Sequence, residues 1–281
     1  MKIVSLFVLI NISFVFCSQN TSEKLITVGG SITEIVFSLN QGSRVIAVDQ
    51  SSTIPVEVQE LPQVGYIRSI SAEGILSMEP TKIITTSDIG PPNIVEQIRS
   101  TGVELIIYDS PKSYTEIVDL VGLIAKELDA VEEGKSLISV MNKSFSDVKS
   151  NISNQTKVVK MALFMGMGGG STFSSFSAAG AGTRADYLIE FIGGKNIFRD
   201  TFTKYSKVDV ETLIDVNPEV ILIASMGNGE SIIDGIYKDR HLKYVDAIKN
   251  RQVHFVNLGQ SLTFGSNFVN SASNILKKIN N

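Results

Sequence analysis

The chain has a single cysteine in 281 residues, only two histidines, and no block of like charges. Cys17 lies at the end of an apolar leader, so the folded part carries no thiol, and both disulfides and thiolate metal sites are excluded. The histidines do not compensate. His241 falls in the charged stretch "KDRHLK" and His254 in an apparent strand, so both read as structural. Without several histidines or a tight carboxylate cluster, a zinc or manganese carrier lacks its usual donors. A formal charge of −4 and a pI near 5.4 supply no basic field for nucleic acid or anionic lipid. No serine, histidine and acid arrangement can be placed, so catalysis has no positive signal, and no membrane-spanning stretch follows the leader.

What is present begins with an address. Lys2 precedes "IVSLFVLINISFVF", a run too short to cross a bilayer comfortably and broken by Asn11 and Ser13. Residues 1–18 therefore read as a signal peptide, and the mature protein as exported and periplasmic. A lipoprotein would also place its lipid-bearing cysteine at Cys17, but Phe16 stands where a small residue is usual, so a lipid anchor is the alternative.

A length of 281 residues with 43% apolar side chains suits two ordinary cores better than one. Short branched runs alternate with helical spacing: "LITV" at 25, "VIAVD" at 45, "KIITT" at 82 and "ELIIYD" at 104. The rhythm resumes with "KVVKMALF" at 157, "EVILIAS" at 219 and "QVHFVN" at 252. This predicts an α/β protein with two parallel-sheet lobes, 21–128 and 154–281. Between them Gly134, Leu137, Ile138, Met141, Phe145, Val148 and Ile152 share one helix face. Glu132, Lys135, Asn142, Lys143, Asp147 and Lys149 share the other. A helix over 130–152 is about 35 Å long and able to bridge the lobes from one side; the bridging segment is taken as 129–153.

The lobes echo each other. "AEGILSMEPTKIITT" and "VETLIDVNPEVILIA" each carry a glutamate, then a proline, then a strand: Glu73 with Pro80, Glu211 with Pro218. "TEIVFSLNQG" and "ADYLIEFIGG" each open with an acid, Glu34 or Asp186, and close on a glycine, Gly42 or Gly194, as helices commonly do. Two related lobes imply a ligand cleft between them. "GAGTRA" at 180 fits a dinucleotide fingerprint, but the preceding "SSFSAA" is a poor strand, and the motif reads as a helix start.

The stretches "GGSITEIVFSLNQGSRVIAVDQSS", "VGYIRSISAEGILSMEPTKIITTSDIGPP" and "AGAGTRADYLIEFIGGKNIF" together resemble the periplasmic haem-binding proteins of bacterial ABC-type haem importers. These belong to the wider group that binds cobalamin and ferric siderophores. The resemblance covers essentially the whole mature chain and implies a class III periplasmic-binding-protein-like fold. It places the axial ligand of ferric haem b on Tyr66, with Arg68 beside that ligand or at the porphyrin edge. A phenolate is a hard anionic donor suited to ferric iron, and a free phenol titrates near 10, so it needs iron and preferably a cation to ionise. Arg68 suits that part, or a bidentate hold on a propionate.

The second wall is expected from "LFMGMGGGSTFSSFS". Gly166, Gly168, Gly169 and Gly170 would allow close approach of a flat ligand. Phe173, Phe176, Met165 and Met167 could stack on it or simply pack the loop. Some relatives carry a histidine here; this chain has none, so five-coordinate haem is expected, with Met165 or Met167 as a weak sixth ligand. The resemblance also assigns Glu73 and Glu211 to docking on arginines of the membrane permease, each equally readable as a helix-start acid. The expected partners are haem, an ABC permease and an outer-membrane receptor upstream, with the protein monomeric. A ferric siderophore or corrinoid on the same scaffold, or an exported α/β enzyme, are the alternatives.

Overall fold

The computed structural model describes residues 23–166, 176–225 and 229–280; residues 1–18, expected to be a signal peptide, lie outside these, Cys17 among them. The first lobe runs β1 (Leu25–Val28), α1 (Gly30–Ser38), β2 (Val45–Val48), β3 (Gly65–Tyr66), β4 (Ser69–Ile70), α2 (Ala72–Leu76), β5 (Lys82–Thr86), α3 (Pro92–Ser100), β6 (Glu104–Tyr108) and α4 (Tyr114–Glu127). Helix α5 (Val131–Ser153) leads to the second lobe. That lobe begins with β7 (Val159–Gly166), β8 (Ser177–Ala179), α6 (Arg184–Phe191), β9 (Gly194–Asn196), β10 (Tyr205–Ser206) and α7 (Val210–Val216). It continues with β11 (Val220–Ser225), α8 (Gly229–Lys238), α9 (Asp246–Lys249), β12 (Val253–Asn257), α10 (Leu258–Ser261) and α11 (Phe268–Asn280).

The first sheet is parallel throughout, in the order β2-β1-β5-β6; its central strands β1 and β5 are buried because helices cover both faces, while the edge strand β6 is only partly covered. The second is mixed, not wholly parallel. β9, β7, β11 and β12 run parallel, β8 runs antiparallel to β7, and β10 in turn runs antiparallel to β8, in the order β10-β8-β7-β11-β12. The chain between Gly166 and Ser177 is shorter than a parallel crossover requires, so β8 must return beside β7 in the opposite sense. The "SSFSAA" stretch thus does contribute a strand. The following "GAGTRA" is a helix start, with the Thr183 hydroxyl accepting the Asp186 N–H.

The lobe echo is structural as well as sequential. Ser71 caps α2 and Asp209 caps α7, each side chain accepting a backbone N–H of the first turn. Glu79 and Asn217, just before Pro80 and Pro218, both adopt positive φ, 50° and 44°. The paired acids differ, however. Both are buried, but Asp186 lies in the first turn of α6, whereas Glu34 sits mid-helix in α1.

Helix α5 presents the expected face: Gly134, Met141 and Val148 are buried, and Leu137, Ile138, Phe145 and Ile152 pack against the core. Gly134 has no Cβ because Ala125 of α4 occupies that space. Farther along, Phe145 stacks on Tyr114 of α4, centroids 4.4 Å apart, and abuts Phe191 of α6 at 5.7 Å. Phe191, Tyr187, Phe264 and Phe268 complete the group. The Tyr187 hydroxyl accepts the Tyr114 N–H at 2.8 Å, from one lobe to the other. One continuous core therefore runs through both lobes. A hydrogen-bonded rod embedded in such a core has no loop hinge to absorb large dihedral changes. Small-angle scattering should show the radius of gyration, roughly 19 Å for a compact chain of this length, changing by under about 5% on ligand binding; a large compaction would contradict this account.

Candidate functional site

The carboxyl ends of both sheets meet where the lobes face each other. Gly30, just beyond β1, lies under Thr263 of the second lobe: a Cβ there would come within 2.8 Å of its methyl. Gly259, just beyond β12, is pressed against Thr53 of the first. Asp49, fully buried after β2, accepts the Gly29 N–H at 2.8 Å, the Ser51 N–H at 2.9 Å and the Ser52 hydroxyl at 2.7 Å, which fixes the strand exits.

"VGYIRSIS" forms the β3–β4 hairpin at this edge. Its apolar residues belong to the core: Val64, Ile67 and Ile70 are buried, while Tyr66 is 37% exposed and the Arg68 side chain 68% exposed. Gly65 turns at φ 107°. Backbone bonds fasten the hairpin on both sides: Gln50 N–H to Gly65 O at 2.8 Å, Gly90 N–H to Ile67 O at 2.9 Å, and Ile70 N–H to Gly90 O at 3.0 Å. Tyr66 and Arg68 are thus side chains on a rigidly fastened hairpin.

Arg68 reaches Asp88, just after β5, with Nη2 3.7 Å from Oδ1. The other carboxylate oxygen of Asp88 lies 3.2 Å from Nη2 of Arg184, which opens α6 in the second lobe. Arg184 also donates to the Leu262 carbonyl at 3.4 Å and lies over the Phe264 ring. Burial pulls its pKa down, and the Asp88 carboxylate opposes that shift. Neither Asp88 nor Arg184 is distinguishable from an ordinary charged residue in the sequence, because their meeting depends on how the lobes dock. Tyr205, on β10 shortly before the cap of α7, occupies the place that Tyr66 holds before α2, and Lys207 follows it as Arg68 follows Tyr66. Extending the lobe echo by a few residues would have found it. Burial raises the Tyr205 pKa, against the lowering effect of its contacts with Thr183, Arg184 and Ala185.

The second wall is only partly in view. Met167, Gly168, Gly169, Gly170 and Phe173 lie outside the described residues. Gly166 does not face a ligand: its missing Cβ makes room for the Phe176 ring, which is 1% exposed and belongs to the second-lobe core. Phe176 is therefore unable to stack on a macrocycle. Met165, half-buried near the end of β7, is nearer the expected wall. His254 bonds Gln252 at 2.8 Å and burial lowers its pKa; His241 is exposed beside α8. Glu73 and Glu211 are both exposed in the first turns of their helices. Among the described residues no three His, Cys, Asp or Glu side chains gather as a metal cluster, and no helix is long and apolar enough to cross a membrane.

A separate open groove of about 580 Å³ lies on the α5 side, between α1, α5 and the start of α11. It includes none of the cleft residues, and its deepest polar group, Glu34, is already satisfied by the Ser266 hydroxyl at 3.1 Å and the Asn267 N–H. The cleft, where a phenol and cations from both lobes converge, is the better ligand site. Burial raises the Glu34 pKa from 4.5 to about 7, against the lowering effect of those bonds. A carboxyl that holds its proton more tightly folded than unfolded costs stability once ionised. The contribution of Glu34 to stability should be most favourable below about pH 4.5, fall by about 3 kcal/mol as pH rises to 7, and then level off. Urea midpoints of wild type and Glu34→Gln across this range check it, since the variant should lose that part of the slope.

Two α/β lobes joined by one long helix, with a cleft at the strand ends, define a two-lobe solute-binding protein. Residues 25–257 match the periplasmic binding protein family, and the chain belongs to it. A curated relative, the vitamin B12-binding protein of Vibrio parahaemolyticus, is 25% identical over 71% of this chain and 70% of its own. Among solved structures, the periplasmic heme-binding protein RhuT from Roseiflexus sp. RS-1, in apo form, superposes with a TM-score of 0.83 at 28% identity, covering 92% of this chain and 97% of that one. A periplasmic heme-binding protein from Pseudomonas aeruginosa gives 0.81 at 21% identity, covering 92% of each.

Proposed function

We propose that this protein binds ferric haem b in the cleft between its lobes, through a bond from the Tyr66 phenolate oxygen to iron, and delivers it to an ABC permease for iron uptake. The observation that carries this reading is Tyr66 itself: a partly exposed phenol on an anchored hairpin at the lobe boundary, with Arg68 two residues on. Phenolate suits ferric iron, and the nearby guanidinium offsets the charge of the bound oxygen or takes a propionate. The similar Roseiflexus protein is a periplasmic heme-binding protein, which supports the ligand class. Met167, Gly168, Gly169 and Phe173 are assigned to the opposite face of the ring. Export by residues 1–18 would place the protein in the periplasm, free or held through Cys17, as a monomer supplied by an outer-membrane receptor. No catalytic step is assigned to it.

The vitamin B12-binding relative favours a second reading, a corrinoid in the same cleft. An absorption titration separates the two, because only haem gives a porphyrin Soret band. Tyr66→Phe keeps the ring and most packing, so haem can still enter. It should lose the ferric phenolate charge-transfer band and release haem about tenfold faster or more, equivalent to about 1.4 kcal/mol. Arg68→Ala should keep the band while weakening binding by roughly tenfold, the scale of one charged hydrogen bond. An unchanged band and off-rate in Tyr66→Phe would remove Tyr66 as the ligand.

Glu73 and Glu211 are assigned to permease docking, one from each lobe, by their matching places on α2 and α7 and their exposure. Reversing both to lysine replaces attraction to a basic permease surface with repulsion. Transport in reconstituted vesicles should be abolished while haem affinity stays within about twofold; normal transport by the double variant would refute the assignment.

A further inference from the structure

The proposed function uses Tyr66 and Arg68 but gives no task to Asp88 and Arg184, the ion pair that crosses the lobe boundary. Their arrangement is unusual for a simple tie. One carboxylate is shared between two guanidiniums, one from each lobe: Oδ1 lies 3.7 Å from Arg68 and Oδ2 3.2 Å from Arg184. Two cations on one anion leave an excess positive charge at the edge that carries Tyr66. Each guanidinium has five donors, and Arg184 uses its described bonds on Asp88 and the Leu262 carbonyl alone. Arg184 is only 30% exposed, with its guanidinium carbon over the Phe264 ring, 5.5 Å from the centroid. It is thus oriented in advance, and its charge interacts in surroundings poorer in water than those of Arg68, whose side chain is 68% exposed. A site of this form accepts a carboxylate, and in the ligand-free protein the protein's own Asp88 supplies one.

We propose that Asp88 is an internal stand-in for a ligand carboxylate and that Arg184 is the second-lobe carboxylate anchor, so that this pair makes the cleft select a dicarboxylate ligand over an uncharged analogue. The inference rests on the haem reading above. When the ligand enters, its carboxylates displace Asp88 from the guanidiniums, Arg68 serving from one lobe and Arg184 from the other. No covalent change is involved. Uncharged ligands gain nothing from the exchange and must leave the Asp88 pairing in place, which gives discrimination by the charge the site expects.

The test compares ferric hemin with its dimethyl ester, which keeps the iron and ring but has no ionised carboxylate, at about 0.15 M salt so that long-range attraction is screened. Wild type should prefer hemin. Arg184→Gln should lose about tenfold or more in hemin affinity and change little for the ester, the scale of one charge-assisted hydrogen bond. Arg184→Lys should recover part of the loss. Asp88→Asn, nearly the same size, should tighten hemin several-fold and leave the ester unchanged, because the competing charge is gone. Circular dichroism confirms that each variant is folded, and Asp88→Asn decides the matter if Arg184→Gln is not. Equal weakening of both ligands by Arg184→Gln, or weaker hemin binding by Asp88→Asn, would make the pair a lobe tie and overturn the inference while leaving the haem reading intact. Equal wild-type affinity for hemin and ester would do the same. A wild-type protein that takes neither compound would overturn the proposed function and this inference with it.

Discussion

The stacked pair Tyr114–Phe145 and the rings that gather on Phe191 set the relation between the lobes, and everything proposed for the cleft depends on that relation. The cluster joins α4, α5, α6 and α11, and offset or tilted rings of this kind contribute about 0.5–1.5 kcal/mol per pair beyond the area they bury. The rings also prevent sliding. Aromatic side chains have few rotamers and interlock, so shifting one lobe against the other would open voids on both sides of α5. With Tyr187 accepting the Tyr114 N–H across the boundary, the two sheets are held with their carboxyl ends opposed before any ligand arrives.

That fixed opposition explains how residues far apart in the chain act together. Tyr66 and Arg68 stand on a hairpin pinned to the exits of β2 and β5; Arg184 stands at the start of α6 in the other lobe. Neither lobe alone has both guanidiniums within reach of one carboxylate. Because the donors are held by packed backbone rather than by mobile loops, a ligand does not have to order them, and less of its interaction energy is lost to conformational entropy. Membership of the periplasmic binding protein family accords with this design: a carrier must hold its ligand without chemistry and present the same outer surface to its partner.

The second sheet shows a different constraint. Its antiparallel β8 fills the space beside β7, and Phe176 enters the gap over Gly166. A glycine that looks like room for a ligand is room for the protein's own core. Glycine frees space, but which group takes that space is decided by neighbours that sequence spacing does not reveal. Glu34 is a similar case. Its place on α1 suggests a helix-start acid, yet it is buried against Ser266 and Asn267, 233 residues away for the latter, and its proton is held to about pH 7 by burial.

Local periodicity and short motifs determined much of this protein by themselves. The face of α5 was legible because a 3.6-residue pattern depends on near neighbours alone, and the parallel strands were legible because buried strands are continuous branched runs. The lobe echo and the exposed phenol of "GYIR" were legible for the same reason, each being a matter of a few consecutive residues. Tertiary structure alone decided the direction of β8 and β10, the inward turn of Phe176, the proton on Glu34, and the meeting of Asp88 with Arg184 across 96 residues. These depend on which surfaces come together once the lobes dock, and on the low dielectric their contact creates; a sequence carries no local signal for either.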